Sequence, residues 1–221
     1  MHPTAEVSGT AFAESYGAPG KVVVDIGGRD ANGSLRKMFE KKGMKYVCVD
    51  IQEDPSVDVV VRPGDKLPFE NNSVDLVIST SCFEHDPCFW MTFKDMTRII
   101  KEDGYIYVNA PATGSYHTYP GDNWRFYSDA GQALAYWSGL QVVNEPVYPV
   151  KVLETFHVLG NEWVDFVCVW GRTSAKETEI VVGEAMSSTV GKMEYLIGMY
   201  GFNTIKKYSG RDHMYQHTFS Y

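Results

Sequence analysis

Between residues 21 and 111 the chain alternates short apolar runs with segments of helical character, and this alternation restricts the fold more than any other feature. The first run, at 21–26, is apolar almost throughout, as expected for a strand that is buried on both faces. Strand-like runs stand at 21–26, 45–50, 57–61, 73–80 and 105–111, and helical segments at 33–43 and 87–104. Strands that alternate with helices predict a doubly wound α/β fold, in which helices cover a mostly parallel sheet.

Beyond residue 111 the pattern loosens. A polar and aromatic loop leads to a predicted helix at 128–139, and strand-like runs follow at 140–150 and 162–172. Two late strands without a long helix between them indicate an antiparallel hairpin at one edge of the sheet. The predicted sheet therefore has seven strands and is mostly parallel.

The chain divides into three predicted parts. Residues 1–20 are interpreted as an N-terminal cap segment, and residues 21–172 as the main domain. Residues 173–221 contain a weakly amphipathic stretch and are interpreted as a C-terminal helical appendage or lid, which is also a candidate contact between two copies of the chain.

Composition excludes several classes of function. The 221 residues are 44% hydrophobic, which is enough for a sizeable core. The net charge is -8 and long basic runs are absent from the sequence, so nucleic acid is not an expected partner. No apolar run reaches the roughly 18 residues of a membrane-spanning helix, so no membrane partner is expected. The N-terminus has no secretory signal pattern, and we therefore expect a cytoplasmic protein.

The four cysteines do not form a disulfide-like framework. Cys82, His85 and Cys88 form a C-x2-H-x2-C string, which has the residue types of a zinc site. Such a site needs a fourth ligand or an open position, and no second paired cluster follows in the sequence. We therefore expect no metal site.

The stretch KVVVDIGGRDANG, at residues 21–33, places an acid and then glycines at the end of the first strand. Gly27 and Gly28, which follow Asp25, permit a sharp turn and the close approach of a ligand. In the dinucleotide fingerprint G-x-G-x-x-G, the second glycine would stand where this chain has Arg29. This departure argues against a nicotinamide dinucleotide as the ligand.

Acids also stand near the ends of other strands. Asp50 ends the second strand, where a carboxylate can accept hydrogen bonds from both hydroxyls of a ribose. Asp65 lies ahead of the fourth strand, where it can bind the amino group of an adenine; a solvated turn residue is the alternative interpretation. The carboxyl ends of parallel strands meet at the edge where doubly wound sheets bind ligands.

The order of these motifs resembles that of the class I methyltransferases that use S-adenosylmethionine, especially the type that acts on small molecules. The matching region begins with a strand, the motif D-x-G, a helix, and a second strand that ends in Asp50. The motif D-x-LPF-x3-S-x-D-x-V-x-S-x4-EH follows. The motif R-x2-K-x2-G and a strand ending in Pro111 come next. The resemblance covers about residues 20–111 and extends more loosely to about residue 171. It implies a Rossmann-like sheet, and S-adenosylmethionine as the cofactor.

The resemblance also implies roles for single residues. Asp25 and Gly27 would contact the methionine end of the cofactor, and Asp50 its ribose. Where the family has a further glycine this chain has Arg29, which either pairs with the cofactor's carboxylate or points to solvent. Asp65 with Lys66 or Leu67 would face the adenine. The predicted cofactor-binding residues are Asp25, Gly27, Gly28, Arg29, Asp50, Ile51, Asp65, Lys66, Leu67, and Ser79 or Ser81.

Methyl transfer is an in-line displacement at a group that the cofactor has already activated. The protein must align the acceptor, exclude water and, where needed, remove a proton. Glu84 and His85 follow the fourth strand, and His117 lies in the loop after the fifth. These three are the predicted catalytic residues, with histidine the usual base at neutral pH.

The loop after the fifth strand also supplies the predicted acceptor contacts. Tyr119 and Trp124 offer flat surfaces for a substrate ring, and Arg125 can hold a carboxylate or a phosphate. We therefore predict a methyltransferase whose acceptor is a small molecule, a sugar or a peptide.

Two alternatives remain open. One is a nicotinamide-dependent oxidoreductase on a related fold, which the missing second glycine and the absence of a Tyr-x3-Lys pair disfavour. The other is a non-catalytic module that keeps the fold for cofactor binding or assembly.

Overall fold

The computed structural model describes residues 2–62, 64–140, 146–173 and 191–206. Its strands are β1 (Val22–Ile26), β2 (Lys45–Asp50), β3 (Val59–Val60), β4 (Val74–Thr80), β5 (Ile100–Thr113), β6 (Val150–Leu159), β7 (Val164–Arg172) and β8 (Asn203–Ile205). Its helices are α1 (Pro3–Tyr16), α2 (Arg36–Lys41), α3 (Phe89–Ile99), α4 (Ala130–Gly139) and α5 (Lys192–Met199).

These strands form one sheet in the order β3-β2-β1-β4-β5-β7-β6-β8. The first five in this order are parallel, whereas β7 is antiparallel to β5 and β6, and β8 is antiparallel to β6. The predicted mostly parallel, doubly wound sheet with an antiparallel edge is confirmed. The described sheet has eight strands rather than the seven predicted, because β8 has three residues and is too short to leave a periodic pattern.

Apolar cores lie on both faces of the sheet. On β1, the neighbouring residues Val23 and Val24 are both fully buried and belong to different cores, because successive side chains of a strand point to opposite faces. Val24 packs in the core that includes Phe93 of α3, and Val23 in the core that includes Phe39 of α2. Burial on both faces explains why the first strand shows no apolar–polar alternation.

Helix α3 is shorter than the sequence predicts. It ends at Ile99 rather than near Gly104, and β5 begins at the next residue. The charged run at 101–103 conceals this strand, because such residues are uncommon in strands. Gly104 lies inside β5, where a Cβ atom would stand 2.9 Å from the carbonyl oxygen of Asp75 in β4. The glycine thus permits the close approach of two strands instead of ending a helix.

The antiparallel hairpin is present, but its first strand lies later than predicted. The strand expected at 140–150 begins only at Val150; residues 141–145 lie outside the described residues, and 146–149 form no strand. The actual strand contains Glu154, which accepts hydrogen bonds from the Tyr16 hydroxyl and the Met193 backbone N–H, and the fully buried His157. Polar groups inside the fold interrupt the apolar pattern that would otherwise reveal β6.

The two ends of the described chain pack on one face of the sheet. Helix α1 lies within the predicted cap segment, and α5 and β8 lie within the predicted appendage. The Lys192 ammonium donates to the Ser15 carbonyl at 3.0 Å, and the Tyr200 hydroxyl donates to the Glu14 carboxylate at 3.0 Å. The predicted helical stretch at 174–190 lies outside the described residues. None of the described helices combines the length and the apolar character needed to cross a bilayer.

Candidate functional site

A cavity of about 1390 Å³ opens at the edge where β1, β2 and β4 end. Strand β1 lies between β2 and β4, so the strand order reverses here, and doubly wound sheets bind their ligands at such a point. The predicted site residues that line the cavity are Asp25, Gly27, Gly28, Arg29, Asp50, Ile51, Asp65, Lys66, Leu67, Ser81, Glu84, His85, His117 and Tyr119. The predicted residues outside its lining are Ser79, Trp124 and Arg125.

The loop after β1 has no room for side chains at its two glycines. Gly27 has φ +74°, and a Cβ atom there would lie 2.3 Å from Sγ of Cys82. A Cβ atom on Gly28 would lie 2.5 Å from a carboxylate oxygen of Asp25. The backbone N–H of Gly27 donates to the Val49 carbonyl at 2.8 Å, which holds the turn against β2. Glycine at both positions therefore lets the loop pass over Asp25 and beside Cys82.

Asp25 is a buried acid at the base of this loop, with 3% of its surface exposed. The Tyr46 hydroxyl donates a hydrogen bond to Oδ2, whereas Oδ1 has no hydrogen-bond partner among the described residues. Burial raises the pKa of Asp25 to about 7, although the Tyr46 hydrogen bond acts in the opposite direction. The site therefore holds a carboxylate with one oxygen available to a donor.

Asp50 stands at the end of β2 beside the same loop. One carboxylate oxygen accepts from the Gln52 N–H at 3.0 Å, and the other lies 3.4 Å from the Arg29 N–H. The Arg29 side chain reaches the loop after β5, where its guanidinium lies 5.2 Å from the centre of the Tyr119 ring and donates to the Tyr119 hydroxyl. Arg29 thus links the first loop to the loop after β5. Ile51, next to Asp50, is half exposed.

The segment ahead of β4 has its backbone fixed by α3. Asp95 accepts a hydrogen bond from the Leu67 N–H at 2.6 Å, and Arg98 donates to the Leu67 carbonyl at 2.8 Å. Leu67 is buried, whereas Asp65 and Lys66 are exposed at the cavity. These contacts occupy the backbone groups of Leu67, so the Asp65 carboxylate and the Lys66 ammonium are the polar groups that this segment presents.

The two serines at the end of β4 differ in position. Ser79 is fully buried, and its hydroxyl donates to the Ile26 carbonyl at 2.9 Å, so it ties β4 to β1. Ser81 lines the cavity with φ +50°, and its buried hydroxyl has no partner among the described residues. Of the two serines predicted as alternatives, the structure therefore brings Ser81 to the cavity.

Glu84, His85 and His117 form one cluster in the cavity. One ligand atom from each lies within 4.8 Å of the others. Nε2 of His85 is 3.7 Å from a carboxylate oxygen of Glu84, and the two histidine rings meet edge to face at 4.9 Å between centroids. The sequence predicts these three residues as catalytic, and the structure brings them together from two separate loops.

Burial controls the protonation of this cluster. Glu84 is 1% exposed, and burial, with a smaller contribution from Asp165, raises its pKa to about 8. Burial lowers the pKa of His85, although the hydrogen bond from Nδ1 to the Gly121 carbonyl opposes the shift. A proton on Nδ1 donates that hydrogen bond, so Nε2 carries the lone pair of the neutral ring.

The loop that carries His117 is fixed by its own polar residues. Arg125 donates to both carboxylate oxygens of Asp122, at 2.5 and 2.7 Å, and this pairing holds the pKa of Asp122 below its ordinary range. Asp122 in turn accepts from the His117 N–H at 2.9 Å. Trp124 donates from its indole to the Asp86 carbonyl at 2.9 Å. Arg125 and Trp124 line a separate small depression, and acceptor contact by these two residues stays a prediction.

Tyr46 and Trp163 are among the residues of the site that the sequence did not predict. Tyr46 binds Asp25 from the neighbouring strand, and the signal available was a polar hydroxyl within a strand that is buried on both faces. Trp163 lines the cavity and meets the His117 ring edge to face at 5.0 Å. Its position depends on contacts such as that with Gly114, far away in sequence, where an added Cβ atom would lie 2.0 Å from the indole. No local pattern carries that information.

Comparison with known sequences identifies the domain. The family described as "Methyltransferase domain" matches residues 24–108, which include both the glycine loop and the Glu84–His85 pair. Residues 24–108 of the chain are therefore similar to a methyltransferase domain. The predicted resemblance to the class I S-adenosylmethionine-dependent methyltransferases is confirmed.

The curated relatives are similar to this chain over only a part of their own length. An uncharacterized methyltransferase from Mycobacterium sp. (strain KMS) is 32% identical over 94 residues, which cover 38% of this chain and 36% of the relative. Another, from Mycobacterium leprae (strain TN), is 26% identical over 119 residues, which cover 48% of this chain and 44% of the relative. The chain thus spans less than half the length of these curated relatives.

Solved structures share the fold of the methyltransferase domain. The Burkholderia thailandensis 1,6-didemethyltoxoflavin-N1-methyltransferase, with bound 1,6-didemethyltoxoflavin and S-adenosylhomocysteine, matches with a TM-score of 0.60 at 14% identity, covering 77% of this chain and 79% of that one. A SAM dependent methyltransferase from Aquifex aeolicus gives 0.54 at 15% identity, covering 76% and 93%. The [4+2]-cyclase SpnF gives 0.57 at 8% identity, covering 76% and 81%. At these identities the likeness establishes the Rossmann-like fold alone.

Proposed function

We propose that this chain transfers the methyl group of S-adenosylmethionine to a small or medium-sized acceptor by in-line displacement. The observation that carries the proposal is a single cavity that contains both the loop and acids of the β1–β2 edge and the Glu84, His85 and His117 cluster. Its volume of about 1390 Å³ exceeds the roughly 300–1000 Å³ of ordinary small-molecule sites. The cavity therefore has room for a cofactor and an acceptor side by side.

The residues at the β1–β2 edge fit the cofactor. Asp25 offers a buried carboxylate oxygen that lacks a donor, and the methionine end of S-adenosylmethionine carries an ammonium group that can supply one. Asp50 presents a carboxylate at the strand end where ribose hydroxyls bind in folds of this type. Gly27 and Gly28 leave the backbone of the loop open to close approach. Asp25 is thus proposed to hold the methionine end, and Asp50 the ribose.

The cluster on the other side of the cavity is proposed to prepare the acceptor. When bound, S-adenosylmethionine supplies a methyl group already activated on a sulfonium. His85 holds its lone pair on Nε2, and its lowered pKa keeps the ring neutral at neutral pH, so this atom can accept a proton. His117 and Glu84 flank this atom and orient the acceptor. Tyr119, which accepts a hydrogen bond from Arg29, lines the cavity and offers its ring to the acceptor.

Calorimetry with S-adenosylhomocysteine tests the proposed function. We expect the folded full chain to bind the ligand at one site. Asp50→Ala should weaken binding, whereas Asp103→Ala, which removes an exposed acid at the start of β5 outside the cavity, should not. A folded sample that shows no binding at millimolar ligand would contradict the proposal.

The net charge of the chain and the residues that line the cavity indicate the class of acceptor. The net charge of -8 disfavours nucleic acid, and aromatic residues such as Trp90 and Tyr119 line the cavity. We propose a small organic molecule, a sugar or a peptide as the acceptor, to be sought by following labelled methyl transfer across acceptor panels. Binding of S-adenosylhomocysteine without transfer to any panel would favour a non-catalytic module, and a rise in melting temperature with NADH alone would favour an oxidoreductase.

A further inference from the structure

Glu84, His85 and His117 have the geometry of a metal-binding set. Their ligand atoms lie within 4.8 Å of one another. Donor atoms bound to one ion at about 2.0–2.2 Å are at most about 4.4 Å apart, so small rotations of these side chains would complete the set. Glu84 and His85 are anchored behind β4, because the Glu84 carbonyl accepts the backbone N–H of Asn123 at 2.7 Å.

Both histidines are oriented through the nitrogen that a metal would not use. Nδ1 of His85 is hydrogen-bonded to the Gly121 carbonyl, and Nδ1 of His117 lies 3.3 Å from the Asp122 carboxylate. Histidines that bind metals commonly donate their second N–H to a carbonyl or a carboxylate, which fixes the ring and its tautomer. Nε2 of each ring is then the remaining donor atom.

Glu84 supplies the second, independent observation. Its side chain is 1% exposed and lines the cavity, and Oε2 has no hydrogen-bond partner among the described residues. A buried polar group without a partner is unfavourable, and coordination of a metal ion is one way in which proteins supply a partner to a buried carboxyl group. The contact of Oε1 with His85 at 3.7 Å is too long for a hydrogen bond, so a cation between these side chains would satisfy both.

We propose that Glu84, His85 and His117 bind a divalent first-row transition-metal ion, and that the ion holds a hydroxyl oxygen of the methyl acceptor. Two imidazoles and one carboxylate suit Mn²⁺, Fe²⁺, Co²⁺ or Zn²⁺, whereas Mg²⁺ and Ca²⁺ take mainly oxygen ligands. Three protein ligands leave open positions, as catalytic sites require. These proposed ligands share only His85 with the Cys82, His85 and Cys88 string, for which the sequence analysis expected no metal site.

Binding of the ion is independent of the proposed function, whereas its role toward the acceptor rests on it. A metal ion lowers the pKa of a bound hydroxyl, so the acceptor would lose its proton to water. The oxygen lone pair then forms the new O–CH3 bond, while the electrons of the S–CH3 bond return to sulfur. With the ion bound, Nε2 of His85 is a ligand and cannot accept a proton, so water rather than His85 takes the hydroxyl proton.

Metal titration of the full chain tests the site. Chelator-treated protein is titrated with Co²⁺, followed by its d–d absorption, and with Zn²⁺ by calorimetry. We expect one ion per chain, and at least about tenfold weaker binding in His117→Ala and in the near-isosteric Glu84→Gln. Cys88→Ser is the matched control, because Cys88 also lines the cavity and belongs to the sequence string; it should bind as the unmodified chain does.

Calorimetry with S-adenosylhomocysteine on the same samples shows whether each sample is folded. It also separates the proposed metal site from the proposed methyltransferase function. Protein that binds S-adenosylhomocysteine but no stoichiometric Co²⁺ or Zn²⁺ would overturn the metal site and leave the proposed function intact. Protein that binds the ion but not S-adenosylhomocysteine would support the site and contradict the proposed function. A thiolate-to-cobalt charge-transfer band, or loss of binding in Cys88→Ser, would overturn the ligand assignment.

Discussion

Gly27→Ala should destabilise the fold through two separate effects. Gly27 has φ +74°, and a Cβ atom there would lie 2.3 Å from Sγ and 2.6 Å from Cβ of Cys82. The left-handed backbone costs an alanine about 1–2 kcal/mol. Forcing the methyl group against Cys82 costs about 1–3 kcal/mol more, because the Cβ atom of Cys82 cannot move away without its backbone. Together these terms lower the free energy of unfolding by about 2–5 kcal/mol.

Gly20→Ala is the matched control for this substitution. Gly20 also has a left-handed backbone, with φ +84°, but an added Cβ atom meets nothing within 4 Å. Gly20→Ala should therefore lower the free energy of unfolding only by the cost of the left-handed backbone, about 1–2 kcal/mol. Cys82→Gly removes both clashing atoms, so a double-mutant cycle separates the two effects. In the Cys82→Gly background, Gly27→Ala should lose only the free energy that the left-handed backbone costs, and not the free energy of the clash.

Urea denaturation, followed by tryptophan fluorescence, measures these differences in stability. Calorimetry with S-adenosylhomocysteine measures whether the altered loop still binds the ligand. Gly27→Ala should also weaken ligand binding, because the loop must shift to make room for the methyl group. Equal losses of stability in Gly27→Ala and Gly20→Ala, or additive effects in the cycle, would contradict this prediction. Either result would mean that the approach to Cys82 does not require glycine.

Three further substitutions test other parts of the site. Asp50→Ala should weaken S-adenosylhomocysteine binding by about 1–3 kcal/mol, because the bound ribose hydroxyls lose their acceptor; unchanged affinity in calorimetry would exclude this role. The pKa of Asp25, about 7 when folded against about 3.9 when unfolded, makes its contribution to stability complete below about pH 4 and lost as the pH rises through 7. Asp25→Asn should therefore flatten the fall in urea midpoint between pH 5 and 8, and an unchanged slope would contradict the shift. Arg125→Lys should lower the free energy of unfolding by about 1–2 kcal/mol, since an ammonium cannot make both hydrogen bonds to Asp122, while leaving S-adenosylhomocysteine affinity unchanged. Loss of methyl transfer at full stability in Arg125→Lys would instead support contact with the acceptor.

The first half of the fold could be predicted from the sequence because its signals are local. A strand buried on both faces is apolar throughout, and Gly43, with φ +78°, stops α2 where the sequence indicates. The second half could not be predicted as well, because β6 contains Glu154 and His157, whose partners lie far away in sequence. The start of β5 is concealed for a related reason: its charged residues are exposed at the end of the sheet.

Topology explains how much of the site could be predicted. Asp25 and Asp50 lie at the carboxyl ends of β1 and β2, and Glu84 lies in the loop after β4. These strands are parallel and are neighbours or near neighbours, so the fold class alone brings the three acids to one edge. The choice between Ser79 and Ser81 depends on which side chain turns toward the cavity, and only the backbone of Ser81, with φ +50°, decides it. No pattern in the sequence carries that angle.

The loop after β5 is predicted to contact the acceptor because it is rich in polar and aromatic residues, but several of those polar groups bind the loop that follows β4. Asn123 donates from its backbone to the Glu84 carbonyl at 2.7 Å and from its side chain to the His85 carbonyl at 2.9 Å. Trp124 donates to the Asp86 carbonyl next to them. These bonds fix His117 relative to Glu84 and His85, so the composition of the loop reflects the assembly of the cluster. Selectivity for the acceptor is therefore expected to depend on the residues that face the cavity, such as Trp163, rather than on the loop residues that hold the cluster together.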